Sequence, residues 1–189
     1  MFDLKKYLGA ALLCFACTQV SASPTLSTVA TPSPAVVGSM VDLAVMISDI
    51  SDLYTYQFSL TFDPNLLRVS SITEGGFLAT AGTTFGDTGE IDNATGTISF
   101  VFNTLIGALP GASGNGNLAH IIFETLGTGS AQLGFSDVMF LDSGMNDIAV
   151  TVQTTPLQIT GATAVPEPAT YLLLGVGVIG AAALRRRRV

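Results

Sequence analysis

The sequence predicts an antiparallel β-sandwich of jelly-roll character, and three observations predict it. Apolar residues through the middle of the chain alternate with period two, the pattern of half-buried strands. Clusters of Asp, Asn, Gly and Pro, the chemistry of tight turns, separate these runs. Between residues 23 and 164 no stretch places its apolar residues at helical spacing. Many short strands at this spacing make an all-β layered domain.

The chain of 189 residues begins with Lys5 and Lys6, an apolar run from Tyr7 to Ala16, and small residues at Val20-Ser21-Ala22. This is the order of a signal peptide, 1–22, with cleavage after Ala22, and it implies Sec export and signal peptidase. The alternative, a membrane anchor, needs ~20 apolar residues, about twice this run. Cys14 and Cys17 leave with the signal, so the mature chain has no cysteine and no disulfide.

A Ser/Thr/Pro-rich lead-in, 23–34, precedes a domain over 35–160. Within it Val41, Leu43, Val45 and Ile47 share one parity, as do Tyr54, Tyr56, Phe58, Leu60 and Phe62. Further strand runs are Ile98-Phe100-Phe102, Ala119-Ile121-Phe123, Ala131-Leu133-Phe135, Val138-Phe140 and Ile148-Val150-Val152. The parity break between Phe135 and Val138 predicts a bulge near Ser136-Asp137.

Gly161 to Val165 is a small-residue linker to a tail at 166–189. The tail reads Pro166-Glu167-Pro168, an uncharged run from Tyr171 to Leu184, and Arg185-Arg186-Arg187-Arg188. As a helix, the run reaches about 21 Å at 1.5 Å per residue, short of a ~30 Å hydrocarbon layer. The arginines hold its end on the cytoplasmic side. Gly175, Gly177 and Gly180 spell a dinucleotide pattern, but no strand precedes them and the chain ends nine residues later. They fit close approach to another membrane helix instead.

Triplet, short helix and terminal arginines together resemble the PEP-CTERM sorting signal of Gram-negative bacteria. The resemblance implies recognition and removal of the tail by an exosortase, transient anchoring in the inner membrane, and delivery to the cell surface or extracellular matrix. An ordinary C-terminal anchor is the alternative. In the middle, Val41-Asp42-Leu43-Ala44-Val45 followed by the stretch from Tyr56 to Val69, with Phe62-Asp63-Pro64-Asn65-Leu66-Leu67 at its centre, resembles a cohesin domain. Leu118 to Phe123 and Ala131 to Val138 resemble the later strands of that family. The likeness implies a nine-stranded jelly-roll that binds dockerin modules, and a fold shared with a class of carbohydrate-binding modules. A lone domain on a sorting tail differs from the repeated array of a cellulosome scaffold.

Composition narrows the function. Of fourteen acidic residues only Asp3 and Glu167 fall outside 23–164, leaving twelve against the single Arg68, a net charge of −11. Such a surface repels phosphate backbones, which excludes nucleic acid. One histidine, His120, and no mature cysteine leave no Cys/His nucleophile and no multi-histidine metal site, so the chain reads as a binding module and not an enzyme. His120 lies within a strand run, its ring at the surface or satisfied by a neighbour.

Two loops gather oxygen ligands suited to a hard cation: Asp87, Glu90, Asp92 and Asn93, and Asp142, Asn146 and Asp147. They are candidate calcium ligands, although neither follows the EF-hand order. Asn93-Ala94-Thr95 spells a glycosylation sequon within a turn. With no Trp, and Tyr54 and Tyr56 on the core parity, a flat aromatic platform for sugar is hard to find. The expected function is an exported surface or matrix scaffold module acting through protein contact; the alternative is a carbohydrate-binding module of the polysaccharide matrix.

Overall fold

The fold is described by a computed structural model over residues 23–162. Ala22 and the whole tail, including Pro166, Glu167, Pro168 and Arg185 to Arg188, lie outside the described residues. Twelve strands are formed: β1 (Thr25–Thr31), β2 (Ala35–Val36), β3 (Met40–Phe62), β4 (Leu67–Glu74), β5 (Thr84–Asp87), β6 (Glu90–Asp92), β7 (Thr97–Leu105), β8 (Ala112–Thr125), β9 (Gly129–Ala131), β10 (Leu133–Asp142), β11 (Thr151–Gln153) and β12 (Leu157–Thr160). The only helical turn among the described residues is Leu78–Thr80, so none of their helices is long and apolar enough to cross a membrane.

One strand organises the sandwich. The first part of β3 runs antiparallel between β1 and β8, with β11 beyond β1 and β4 beyond β8. Its last ten residues run between β7 and β10, with β5 and β6 on the far side of β7. A strand that passes from one sheet to the other needs a corner, and two aspartates make it. Asp49 and Asp52 take φ of 56° and 58°, the left-handed region that short polar side chains tolerate best. Backbone hydrogen bonds lost there are replaced by side chains: Asp49 N–H donates to Asn115 Oδ1 at 2.7 Å and Asp52 N–H to Ser113 Oγ at 2.9 Å. The Asp52 carboxylate in turn accepts from Gly111 N–H and Ser143 Oγ–H, each at 2.6 Å. Gly111 must be glycine, since a Cβ there would stand 2.3 Å from the Asp52 carbonyl carbon.

The two layers meet through the alternation read in the sequence. Val41, Leu43, Val45 and Ile47 face Tyr56, Phe58, Leu60 and Phe62 across one continuous buried core. Phe62 and Phe123 pack edge to face at 5.2 Å, and the Tyr56 hydroxyl donates to the Leu118 carbonyl at 2.6 Å. The bulge near Ser136-Asp137 is present, with Asp137 at φ 51°. β2, β12 and β9 form a separate small sheet.

The structure corrects three readings. The segment 23–34 is not merely a lead-in: it supplies β1, which pairs with β3 from Thr25 to Thr31 and buries Leu26 completely. Its alternation is carried mainly by Thr and Ala, which have little hydrophobic contrast. The run Ile148-Val150-Val152 is not a buried strand. Only Thr151–Gln153 is paired, parallel to β1, and Val152 is exposed. Finally, Ile98, Phe100 and Phe102 do not share the inner face, because β7 carries a bulge at Phe100 where the pairing slips between Phe58 and Leu60. Val101 is inside and Phe100 outside.

Asn93 ties the layers at the β6–β7 turn. Its Oδ1 accepts from Val69 N–H at 2.7 Å and its Nδ2 donates to the Val69 carbonyl at 3.1 Å, so the side chain serves as a missing ladder partner for β4. The sequon asparagine is therefore committed to the fold. Asn93→Ala strands both groups and is expected to cost about 1–3 kcal/mol in denaturant unfolding, whereas Thr95→Ala, which also destroys the sequon, is expected to cost less.

Candidate functional site: an open four-stranded face

Register dictates what the β10-β3-β7-β5 layer shows to solvent. Directly paired residues on neighbouring strands point to the same side. With Tyr56, Val101, Asn103, Leu105 and Phe140 buried, the alternate positions face outward in two rows. One row is Phe85, Thr104, Thr55 and Leu141; the other is Asp87, Phe102, Gln57 and Met139. Thr55 and Thr104 share a hydroxyl hydrogen bond of 2.7 Å between the central strands. Apart from Asp87 at its β5 edge, this surface consists of aliphatic, aromatic and uncharged polar groups.

Its aromatic end is built by backbone strain. Phe100 holds φ at 56°, a region that costs a bulky residue roughly 1–3 kcal/mol and persists only where the surroundings enforce it. Enforcement comes from the buried Ser59, whose Oγ accepts from Phe100 N–H at 3.2 Å. From the other side the β5–β6 turn presses in, where Gly89 sits at φ +80° and a Cβ would be 2.4 Å from the Ser99 carbonyl. The outcome is Phe100 59% exposed on the same surface as Phe102, with Phe85, 62% exposed, on the neighbouring strand β5. Phe85 and Phe102 meet at 6.3 Å with their planes 60° apart, so they form a ridge and not a flat platform. Tyr56 lies beneath, its hydroxyl proton held well above the ordinary phenol range by burial and by the charge of Glu74.

The candidate calcium ligands fall in two separate groups. Asp87, Glu90 and Asp92 lie at the β5–β6 edge of the layer, while Asp142, Asn146 and Asp147 lie at its β10 edge, with β7 and β3 between the two groups. Asp87 accepts from Gly89 N–H at 2.8 Å, Asp92 from Ala94 N–H at 2.8 Å, and Asp142 from Gly144 and Asn146 N–H at 2.8 Å each. These carboxylates cap their own turns, and Asp147 bridges to Leu141 through the backbone. Among the described residues no three His, Cys, Asp or Glu side chains converge on one point. Hydrogen bonding holds three carboxyls below the ordinary 3.8: Asp52 by Ser143 and Gly111, Asp92 by Thr95 and Ala94, and Asp142 by Asn146. A carboxyl depressed in the folded state stabilises above its unfolded pKa and loses that contribution as pH falls through the folded value. Melting temperature is thus expected to fall most steeply below about pH 4, with a shallower acid limb when the three are changed to Asn; an unchanged limb contradicts this.

His120 lies on the other layer. Its Nδ1 is 2.9 Å from Asp42 Oδ2 and its Nε2 accepts from Asn117 Nδ2 at 2.8 Å, so neighbours satisfy both ring nitrogens. The arrangement links β3 to β8 and presents no serine for activation.

Sequence reasoning missed Phe85 and Phe100 as surface aromatics. The available signal was the conflict on β7, where Phe100 and Val101 cannot both face inward on a regular strand.

Comparisons with known proteins agree with this architecture. A family model for the cohesin domain matches residues 27–159, and one for the PEP-CTERM protein-sorting motif matches residues 164–188. Similar solved structures include the second type II cohesin module of an adaptor scaffoldin from Acetivibrio cellulolyticus, with 18% identity, TM-score 0.62 and coverage of 79% of this chain and 96% of that one. A non-cellulosomal cohesin from the archaeon Archaeoglobus fulgidus has 17% identity and TM-score 0.55, covering 74% and 92%. A type I cohesin–dockerin complex from Clostridium thermocellum contributes a chain with 13% identity and TM-score 0.59, covering 74% and 100%. No curated protein matches the chain.

Proposed function

The chain belongs to the cohesin domain family and carries a PEP-CTERM protein-sorting motif, and from that premise we propose that it is an exported scaffold module that holds a partner protein on the outward face of β10, β3, β7 and β5. The observation that carries this reading is the face itself: uncharged at Thr55, Gln57 and Thr104 on its central strands and at Met139 on β10, and ending in exposed phenyl rings. Interfaces between proteins concentrate aromatic and Met side chains and exclude charge from their centres. The Clostridium thermocellum relative was solved with a dockerin, which supports protein contact as the mode of action. The angle of 60° between Phe85 and Phe102 weighs against stacking on a pyranose.

Export through Sec with cleavage after Ala22, transient anchoring by the tail helix, removal of the tail by an exosortase, and residence at the cell surface or in its matrix complete the reading. The partner would then be a matrix or surface protein. Calcium bound by Asp87, Glu90 and Asp92, or by Asp142, Asn146 and Asp147, would be an accessory to that contact; millimolar calcium raising the melting temperature would support it.

Site-specific photocrosslinking on intact cells tests the face. A benzophenone side chain at Gln57 or Met139 is expected to give discrete adducts, and the same group at Thr73, on the opposite layer beside His120, is expected to give none. Adducts of equal yield from both layers, or from Thr73 alone, would reject the face as the docking surface.

A further inference from the structure

At the β5–β6 edge of that face the Phe100 bulge forms one wall of an open groove of about 530 Å³ lined by Asp87, Gly89, Glu90, Ser99, Phe100 and Phe102. We infer that this groove receives a lysine or arginine side chain of the partner protein, its aliphatic stem along the Phe100 ring and its cationic head between the Asp87 and Glu90 carboxylates; this deepens, and rests on, the docking face proposed above.

Three features of the molecule support that occupant. An exposed aromatic face attracts a cation through its quadrupole, and carboxylates beside it add charge-assisted hydrogen bonds. No cation of the same chain competes among the described residues, since their single Lys or Arg, Arg68, stands on β4 in the other layer. A second copy of the domain is a poor occupant, because twelve acidic residues against one arginine make two copies repel. The groove is also preformed. Gly89 packs against the Ser99 carbonyl more closely than any side chain would allow, and the Ser59 hydroxyl fixes the bulge, so little ordering is needed on binding.

The chain contains no Trp, so Phe100→Trp places a unique fluorophore in the groove and strengthens the cation-attracting face. The exported protein carrying it is titrated with a capped Gly/Ser peptide containing one arginine, with the same peptide containing citrulline, and with cellohexaose. A saturable emission change with the arginine peptide, at least about tenfold weaker with citrulline and after Asp87→Asn with Glu90→Gln, is the expected result. Because the Trp variant can fail to fold, the amide shifts of Gly89 and Glu90 in the unsubstituted protein read the same titration. Equal response to arginine and citrulline overturns the inference. So does a saturable response to cellohexaose, which would make the groove a sugar subsite, or amide shifts of the same size in the 142–147 loop, which would make the response unspecific charge attraction. Adducts at Gln57 without arginine binding here would leave the docking face standing and remove only the groove.

Discussion

Phe58→Ala is expected to cost about 3–5 kcal/mol, enough to leave the domain marginal. Phe58 has no exposed surface; it stacks with Tyr56 at 6.1 Å and meets Phe135 edge-on at 5.4 Å. It sits where β3 passes between β7 and β10, so the cavity left by truncation opens in the middle of one layer and under the other. Neighbours cannot close it easily: Tyr56 is held by its hydrogen bond to Leu118, and Leu60 is already fully buried on the next inward position. Nothing covalent compensates, because both cysteines belong to the segment 1–22 and the strands hold none. For a domain of this size the loss corresponds to a fall of roughly 10–20 °C in melting temperature. Phe58→Leu, which keeps most of the volume, is expected to cost about 1–1.5 kcal/mol. Phe85→Ala on the exposed ridge should stay within about 0.5 kcal/mol. Equilibrium denaturation of the three variants with and without reductant checks the account. A drop for Phe85→Ala as large as that for Phe58→Ala, or a melting temperature lowered by reductant, would contradict it.

The sandwich and most of its core could be read from the sequence because the signal was periodicity with strong contrast. Tyr56-Gln57-Phe58-Ser59-Leu60-Thr61-Phe62 can satisfy a layered fold in only one register, since a slip of one residue would bury Gln57 and Thr61 and expose four residues of the core. Where contrast was low the reading failed: β1 is mainly Thr, Ser and Ala around a single Leu26, and its inclusion depends on partners on β3 and β11 that only the folded chain supplies. Tyr54 shows the limit of parity at a strand end. It shares the core side in sequence, yet it is only half-buried and its hydroxyl donates to the Gly107 carbonyl. The candidate face was harder still. Phe100 is exposed because of one inserted residue on β7, and a bulge is encoded by the neighbours that tolerate it, here Ser59 and Gly89 from two other parts of the chain. Acid-rich loops stood out in composition, but composition does not reveal that Asp87, Asp92 and Asp142 each turn back to cap an adjacent amide.

Changing Pro166, Glu167 and Pro168 together to Ala is expected to shift nearly all of the protein from the surface fraction to an uncut, membrane-bound precursor. The tail as proposed has two separable duties. The uncharged run from Tyr171 to Leu184 with its terminal arginines would hold the chain in the membrane, and the triplet would mark it for cutting. Removing the mark leaves the hold intact, so the variant should be exported and folded but not released. The fold adds a second, independent way to block release. β12 ends at Thr160, and the five residues 161–165 can span at most about 18 Å when fully extended. A membrane enzyme reaching the triplet would therefore work directly beneath a closed sandwich whose last strand is pinned between β2 and β9. Deleting 161–165 would draw the triplet against that small sheet, and precursor should accumulate even though the triplet is untouched. Replacing the same five residues with Gly/Ser of equal length should release normally. Intact-mass analysis of surface and inner-membrane fractions separates these cases: the native surface form should lack Tyr171 to Val189, while both blocked variants retain it. Recovery of the complete tail from the native surface fraction, or normal release of the 161–165 deletion, would show that the tail is a permanent anchor or that the enzyme needs no clearance from the domain.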